Sequence, residues 1–225
     1  MQPMDPVTCL KGVGPKTAQK LKKLQIETVG DLLRHLPVRV RDLRRPIPLS
    51  QLEEGREALV SGTVTAPPRW ISRKGKFSVF SFEVADGTGV LMISMFNVPF
   101  LMDRFTAGRK FLFCGKAKRF GGRLQMDNPL SYDAGHAPGM VADYPLCEGV
   151  THKLLRQLAA QAVRETYVED EFSLQLREYA DLLPRGREFA WAHCPSSPEE
   201  EQAARRSMIR RELLVFARML ALMDQ

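Results

Sequence analysis

Glu57-Ala58-Leu59-Val60-Ser61-Gly62-Thr63-Val64-Thr65 and Phe77-Ser78-Val79-Phe80-Ser81-Phe82-Glu83-Val84-Ala85, followed beyond Asp86-Gly87-Thr88-Gly89 by Val90-Leu91-Met92-Ile93-Ser94-Met95-Phe96-Asn97, decide how this chain folds. Apolar side chains recur there at every second position, the period of a strand with one buried face. The pattern predicts strands over 57–65, 77–85 and 90–97, and further on over 109–120 and 123–128, with Asp86-Gly87-Thr88-Gly89 and Gly121-Gly122 as tight hairpin turns. Between the third and fourth runs, Phe100, Leu101 and Phe105 fit one face of a short helix closed by Gly108, and Pro129 is expected to end the ladder. Five strands in this order are what a Greek-key OB-fold β-barrel requires, and such barrels commonly bind single-stranded nucleic acid.

The flanks are helical, which makes the expected class α+β. Gly12-Val13-Gly14 stands directly before a helix with Ala18, Leu21 and Leu24 on one face, and a second short helix over 28–36 stops at Pro37. This resembles the hairpin and second helix of a helix-hairpin-helix motif. Its backbone N–H groups can meet a phosphate beside Lys16; the alternative is a helical cap packed on the barrel with its lysines solvated. Residues 38–56, with Arg39, Arg41, Arg44 and Arg45, read as an extended linker. After the barrel, Thr151 can cap a helix to about residue 167, another spans roughly 171–182, and Ser197-Pro198-Glu199-Glu200 is a capping box that opens a long last helix. The expected organisation is a helix-hairpin-helix-like cap at 1–37, a linker at 38–56, an OB-fold domain at 57–143 and a helical connector at 144–225. The last helix meets no glycine or proline before Gln225, so more protein is expected to follow, and its apolar stripe to favour association when uncovered.

Thirty-three Lys and Arg against twenty-six Asp and Glu leave a net charge of +7, which favours polyanionic partners. The four cysteines, at 9, 114, 147 and 194, form no CxxC, so a reducing cytoplasm is expected. No run approaches the eighteen or so apolar residues of a membrane span. Catalytic signatures are missing: Gly115-Lys116 lacks the spacing and the following hydroxyl of a phosphate loop, and HExxH, GxSxG and Cys/His clusters do not occur. No activity, no metal and no cofactor is therefore expected of these residues themselves.

Binding chemistry is better represented. Trp70, Phe96, Phe100 and Phe120 are candidates to stack on bases, with Phe96 at a strand end and Phe80, Phe82, Phe111 and Phe113 assigned to the core. Arg69, Arg73, Lys74 and Lys76, in a predicted loop, and Lys116, Lys118, Arg119 and Arg123, on the last two strands, are candidate phosphate ligands, with Gly12, Gly14 and Lys16 in the first hairpin.

Leu10-Lys11-Gly12-Val13-Gly14-Pro15-Lys16, Thr28-Val29-Gly30-Asp31-Leu32-Leu33-Arg34-His35-Leu36-Pro37, Asp86-Gly87-Thr88-Gly89, Met95-Phe96-Asn97 and Tyr144-Pro145-Leu146-Cys147-Glu148-Gly149-Val150 recur in this order in bacterial RecG helicases. Over nearly its whole length, through His193-Cys194-Pro195 and the helix bearing Arg205, Arg206 and Arg211, the chain closely resembles their N-terminal part. The resemblance implies a wedge that sits at a DNA branch point, at replication forks and Holliday junctions in repair and recombination. Its stacking aromatics map onto Phe96 and Phe100. It further implies an ATP-driven, Mg²⁺-dependent motor beyond residue 225 as the partner of this region. Val40 stands where the family often has an aromatic, and Asn128-Pro129-Leu130 replaces a more usual His-Pro-Glu. Three readings follow: a branched-DNA wedge, a general single-strand binder using the same residues, and a structural brace with incidental charge.

Overall fold

The structure is a computed structural model in which residues 1–74, 77–136 and 139–223 are described. In chain order its elements are α1 (Pro15–Lys22), α2 (Val29–Arg34), β1 (Arg39–Asp42), β2 (Glu57–Val64), β3 (Arg69–Lys74), β4 (Phe77–Ala85), β5 (Val90–Phe96), β6 (Lys110–Phe120), β7 (Arg123–Asp127), β8 (Leu130–Asp133), β9 (Met140–Asp143), α3 (His152–Glu165), α4 (Leu174–Tyr179), α5 (Arg185–His193) and α6 (Pro198–Met223). Contacts divide the chain into two units, one of Leu43–Gly139 and one assembled from both chain ends, Met1–Asp42 with Met140–Gln225.

In the central unit, β2, β4, β5, β7 and β6 are neighbours in that order and β6 pairs back onto β2, so five strands form a closed ring. Every pairing in the ring is antiparallel except β5 with β7, and the arrangement resembles an OB-fold. Inward positions carry the core: Val60, Phe80, Phe82, Val84, Leu91, Ile93, Phe111, Phe113 and Met126 are buried together. Gly62 is required where β2 crosses β4, because a Cβ there would lie 2.8 Å from that of Val84. The short helix predicted after β5 is a 3-10 turn, Pro99–Arg104. It separates two phenylalanines that were expected to share a face. Phe105 is fully buried, stacked 4.5 Å from Phe82, whereas Phe100 is 76% exposed.

Two strands depart from the sequence-based expectation for one physical reason. β2 pairs only with the last residues of β4, Val84 and Ala85, which leaves the N–H and C=O groups of the first half of β4 without partners; β3 supplies them, from Arg69↔Ser81 to Lys74↔Phe77, with a bulge after Trp70. The stretch expected to be a loop is therefore largely strand. Likewise β7 uses only Ala117–Phe120 of β6, and β8 pairs with Phe111–Cys114, so Pro129 redirects the ladder without ending it.

The second unit brings the chain ends together. Val7, Leu10, Leu21, Ile26, Val29, Leu32 and Leu33 from the first segment share a core with Leu155, Leu158, Ala159, Ala162, Phe189 and Met208 from the last. The first helices pack there on the C-terminal helices. β1 pairs antiparallel with β9, Arg39↔Asp143 to Asp42↔Met140, so the Arg-rich stretch at 38–56 opens as a strand, and the chain divides after Asp42 and Gly139 and not at 37 and 143. The buried Asp143 explains this, since its carboxylate accepts from Arg41 Nε at 2.7 Å and pairs with Arg39 at 3.6 Å. Thr28 and Asp31 form a capping box on α2, Thr151 caps α3, and Ser197 Oγ accepts from the Glu200 N–H at the start of α6. α5 is a helix that the sequence reading did not separate from its surroundings.

Two buried polar groups tie this unit together. Arg211 is 2% exposed and pairs with Asp170 at 3.0 Å, Glu171 at 3.1 Å and the fully buried Glu188 at 3.1 Å, and it donates to the Leu183 carbonyl at 2.8 Å. His193 donates from Nε2 to the Leu33 carbonyl at 2.8 Å and accepts the Tyr144 hydroxyl on Nδ1 at 2.9 Å. Burial pushes the His193 imidazole down to about 4 against the pull of the Leu33 carbonyl, so it is neutral in the folded chain.

Removing the Arg211 guanidinium takes one of two cations from the buried Glu188, leaving Arg185 against it, and a cation from Asp170 and Glu171; Arg211→Ala should cost about 3 kcal/mol in urea unfolding followed at Trp191, in a Trp70→Phe background. The His193 shift has a defined sign: between about pH 6.5 and about pH 4 the unfolded chain binds a proton that the folded chain refuses, so stability falls as pH falls through that window. The full effect is about 3 kcal/mol, and a His193→Gln variant, less stable at neutral pH, should lose this part of the pH dependence of Tm.

Candidate nucleic-acid interface

Strand parity sorts the ring's aromatics. On β4, Phe80, Phe82 and Val84 point into the core, which puts Phe77, Val79, Ser81 and Glu83 on the outer face; on β5 the outward positions are Val90, Met92, Ser94 and Phe96. Val79 lies opposite Phe96, and the Phe96 ring rests half-buried against Phe77 with centroids 6.4 Å apart. Phe77 itself is 49% exposed.

Two asparagines fix this corner. Asn97 is left-handed at φ 58°, and it closes on Ser78 twice, donating its N–H to the Ser78 carbonyl at 2.8 Å and accepting the Ser78 N–H on Oδ1 at 3.1 Å. Asn128, at φ 43°, accepts the Phe96 N–H on Oδ1 at 2.7 Å while its own N–H donates to the Ser94 carbonyl at 2.8 Å. Asn tolerates the left-handed region better than other non-glycine residues. The departure at Asn128 thus produces the side chain that holds the end of β5. Just beyond, the 3-10 turn projects Phe100 into solvent.

The other sequence-derived candidates fall in distinct settings. Trp70 packs edge-on against core Phe80, centroids 5.8 Å apart, with part of its ring exposed. Arg69 and Lys116 are exposed and have no ion-pair partner among the described residues. Lys118, Arg119 and Arg123 are exposed but held by carboxylates: Lys118 by Asp127, Arg119 by Glu54 at 3.7 Å and Arg123 by Glu83 at 3.0 Å. The side chains of Arg73 and Lys74, and the whole of Lys76, lie outside the described residues. Gly12, at φ +89°, Gly14, which caps α1 without a side chain, and the exposed Lys16 belong to the other unit.

Sequence reasoning passes over Phe77, Ile71 and Asn128. Phe77 carries a usable signal, since its parity is opposite to that of Phe80 and Phe82; Ile71, 67% exposed, sits at a bulge that no sequence pattern marks. Among the described residues no three His, Cys, Asp or Glu side chains gather into a metal-binding group, and no helix is long and apolar enough to cross a membrane. What the ring offers chemically is flat apolar surface beside fixed cations, suited to stacking on bases and to pairing with phosphates.

Comparison with known proteins identifies the family. The profile described as the RecG wedge domain matches residues 6–166. The ATP-dependent DNA helicase RecG of Escherichia coli strain K12 is 34% identical over 165 residues, covering 70% of this chain and 23% of that protein. RecG of Streptococcus pneumoniae serotype 4 is 28% identical over 221 residues, 97% of this chain and 32% of its own length. A solved structure of RecG bound to a three-way DNA junction superposes with a TM-score of 0.78 at 21% identity over 92% of this chain and 29% of that one, which establishes a shared fold. The chain thus spans between about a quarter and a third of the length of these relatives. It belongs to the RecG wedge domain family and is homologous to the N-terminal region of the ATP-dependent DNA helicase RecG.

Proposed function

We propose that this chain is the branched-DNA-binding wedge of a RecG-type helicase, an OB barrel that sits where duplexes part and covers the bases exposed there with Phe96 and Phe100. The observation that carries this reading is the corner itself: Phe100 stands 76% exposed just past a strand end that Asn97 and Asn128 hold rigidly. A phenylalanine in water on a fixed backbone forfeits its burial energy unless a ligand covers it. A terminal base pair supplies a flat apolar surface of suitable size. Lys116 and Arg69, with the arginines of β6 and β7, would hold the phosphates of the separated arms. Strand separation would draw its energy from an ATP- and Mg²⁺-dependent motor in the longer protein, acting in replication-fork and Holliday-junction processing. This region would contribute position and no catalysis.

Phe100→Ala should weaken binding to a three-way junction by about 1–3 kcal/mol, read by anisotropy at fixed salt, while moving stability by no more than about 0.5 kcal/mol. Equal affinity of the parent chain for junction and linear duplex would remove the branch-specific part. Salt titration supplies a second check: each phosphate released flattens the log–log slope by about 0.9, so Lys116→Ala should lower the slope by that amount. Lys118→Ala should lower it less, because Asp127 already neutralises that ammonium.

A further inference from the structure

Phe100 sits on a turn that its own residues hold weakly. Pro99–Arg104 is a 3-10 turn with no side-chain cap at its start, and the hydrogen-bond geometry of such turns is poorer than that of an α-helix. Leu101 and Met102 rest half-buried on the core of the ring, while Phe100 faces solvent. Before the turn the chain is fastened at Phe96 and Asn97. After it the fastening comes from β8, a strand outside the five-strand ring. Arg104, the last residue of the turn, donates from one terminal nitrogen to the Ser131 carbonyl at 3.3 Å and to the Ser131 hydroxyl at 3.2 Å. Its half-buried guanidinium has no carboxylate partner among the described residues, and it lies 5.4 Å from the centre of the Phe111 ring and 5.8 Å from that of Phe105, both fully buried. Further along β8, Asp133 pairs with Arg109, which also donates to the Arg104 carbonyl at 3.4 Å. With Asn128 on the Phe96 N–H, the single segment 128–133 thus grips the stretch around Phe100 at Phe96, Arg104 and Arg109.

We propose that Arg104 is the positioning residue for Phe100: through Ser131 it fixes the end of the turn, and with it the height at which the Phe100 ring meets a terminal base pair. It deepens the wedge reading and rests on it. A turn ordered in advance loses no further freedom when the ligand arrives, so its ordering shows as affinity. Arg104 suits that role better than a phosphate contact because its donors are turned to a backbone carbonyl and a hydroxyl, and its plane is laid over core rings. A phosphate ligand needs those donors facing solvent.

The test uses the whole chain and a labelled three-way junction, read by anisotropy across a salt series. Arg104→Met keeps an apolar stem over Phe111 and should weaken binding by roughly three- to tenfold with the log–log salt slope unchanged. Ser131→Ala leaves every charge in place and should also weaken it. In a Phe100→Ala background, Arg104→Met should change affinity by less than about twofold, because the ring it positions is gone. A phosphate contact gives the opposite pattern and overturns the proposal: a slope flatter by about 0.9, the full loss in the Phe100→Ala background, and no effect of Ser131→Ala. A second readout needs no DNA. With Phe100→Trp as the sole tryptophan, in a Trp70→Phe, Trp191→Phe background, Arg104→Met and Ser131→Ala should each raise the share of nanosecond local motion in the fluorescence anisotropy decay. Arg104→Lys, which can still donate to Ser131, should restore part of the rigidity. A decay that none of these variants changes overturns the positioning role. A decay that responds in a chain with no preference for junctions supports the positioning role and removes the wedge reading.

Discussion

The return of β6 onto β2 is the constraint from which the rest of the central unit follows. Paired from Glu57↔Lys116 to Thr63↔Lys110, the two strands close the ring. Closure forces alternate residues inward, where Phe82, Phe105, Phe111 and Phe113 pack with centroid separations of 4.5–6.1 Å. It equally forces Phe77 and Phe96 outward. Their exposure is a consequence of register: a one-residue slip of β5 would bury Phe96 and expose Met95. Asn97 and Asn128 then fix the last degree of freedom by fastening both ends of the backbone that carries the ring.

The unit made from both chain ends relies on a different kind of interaction. Its apolar core is ordinary, but three carboxylates converge on the buried Arg211 and join α6 to α5 and to the segment before α4. Burying charge is costly, and the network is sustained because Glu188 and Asp170 are answered by further donors, the Ser207 hydroxyl on Glu188 at 2.5 Å and the Arg185 N–H on Asp170 at 2.8 Å. The Arg185 guanidinium also lies 4.5 Å over the Phe189 ring, so polar and apolar cores adjoin at α5.

The five ring strands are legible in the sequence to within a residue or two because each carries its own alternation, and the turns at Asp86 and Gly121 are legible from composition. β3, β8 and β1 are not, since they exist to satisfy backbone groups on longer or distant strands, a requirement written in the partner and not in their own residues. The site shows the same division. Position and type mark Phe96 and Phe100, but which arginines are already occupied depends on Asp143, Glu54 and Glu83, which lie far from them in sequence or across a sheet. The joining of residues 1–42 to 140–223 has no local signature, because the apolar stripes of α1 and α3 are compatible with many partners.

Because β1 and β9 pair with Asp42 opposite Met140, the ring is an insertion within a unit that needs both ends of the chain. Translation therefore delivers the inserted part whole before its host can be completed. Val7, Leu10 and Leu33 must wait for Leu158 and Phe189 to emerge, a delay on the order of ten seconds at ordinary elongation rates. For that interval the apolar side chains of the first segment lack the far half of the core they will share.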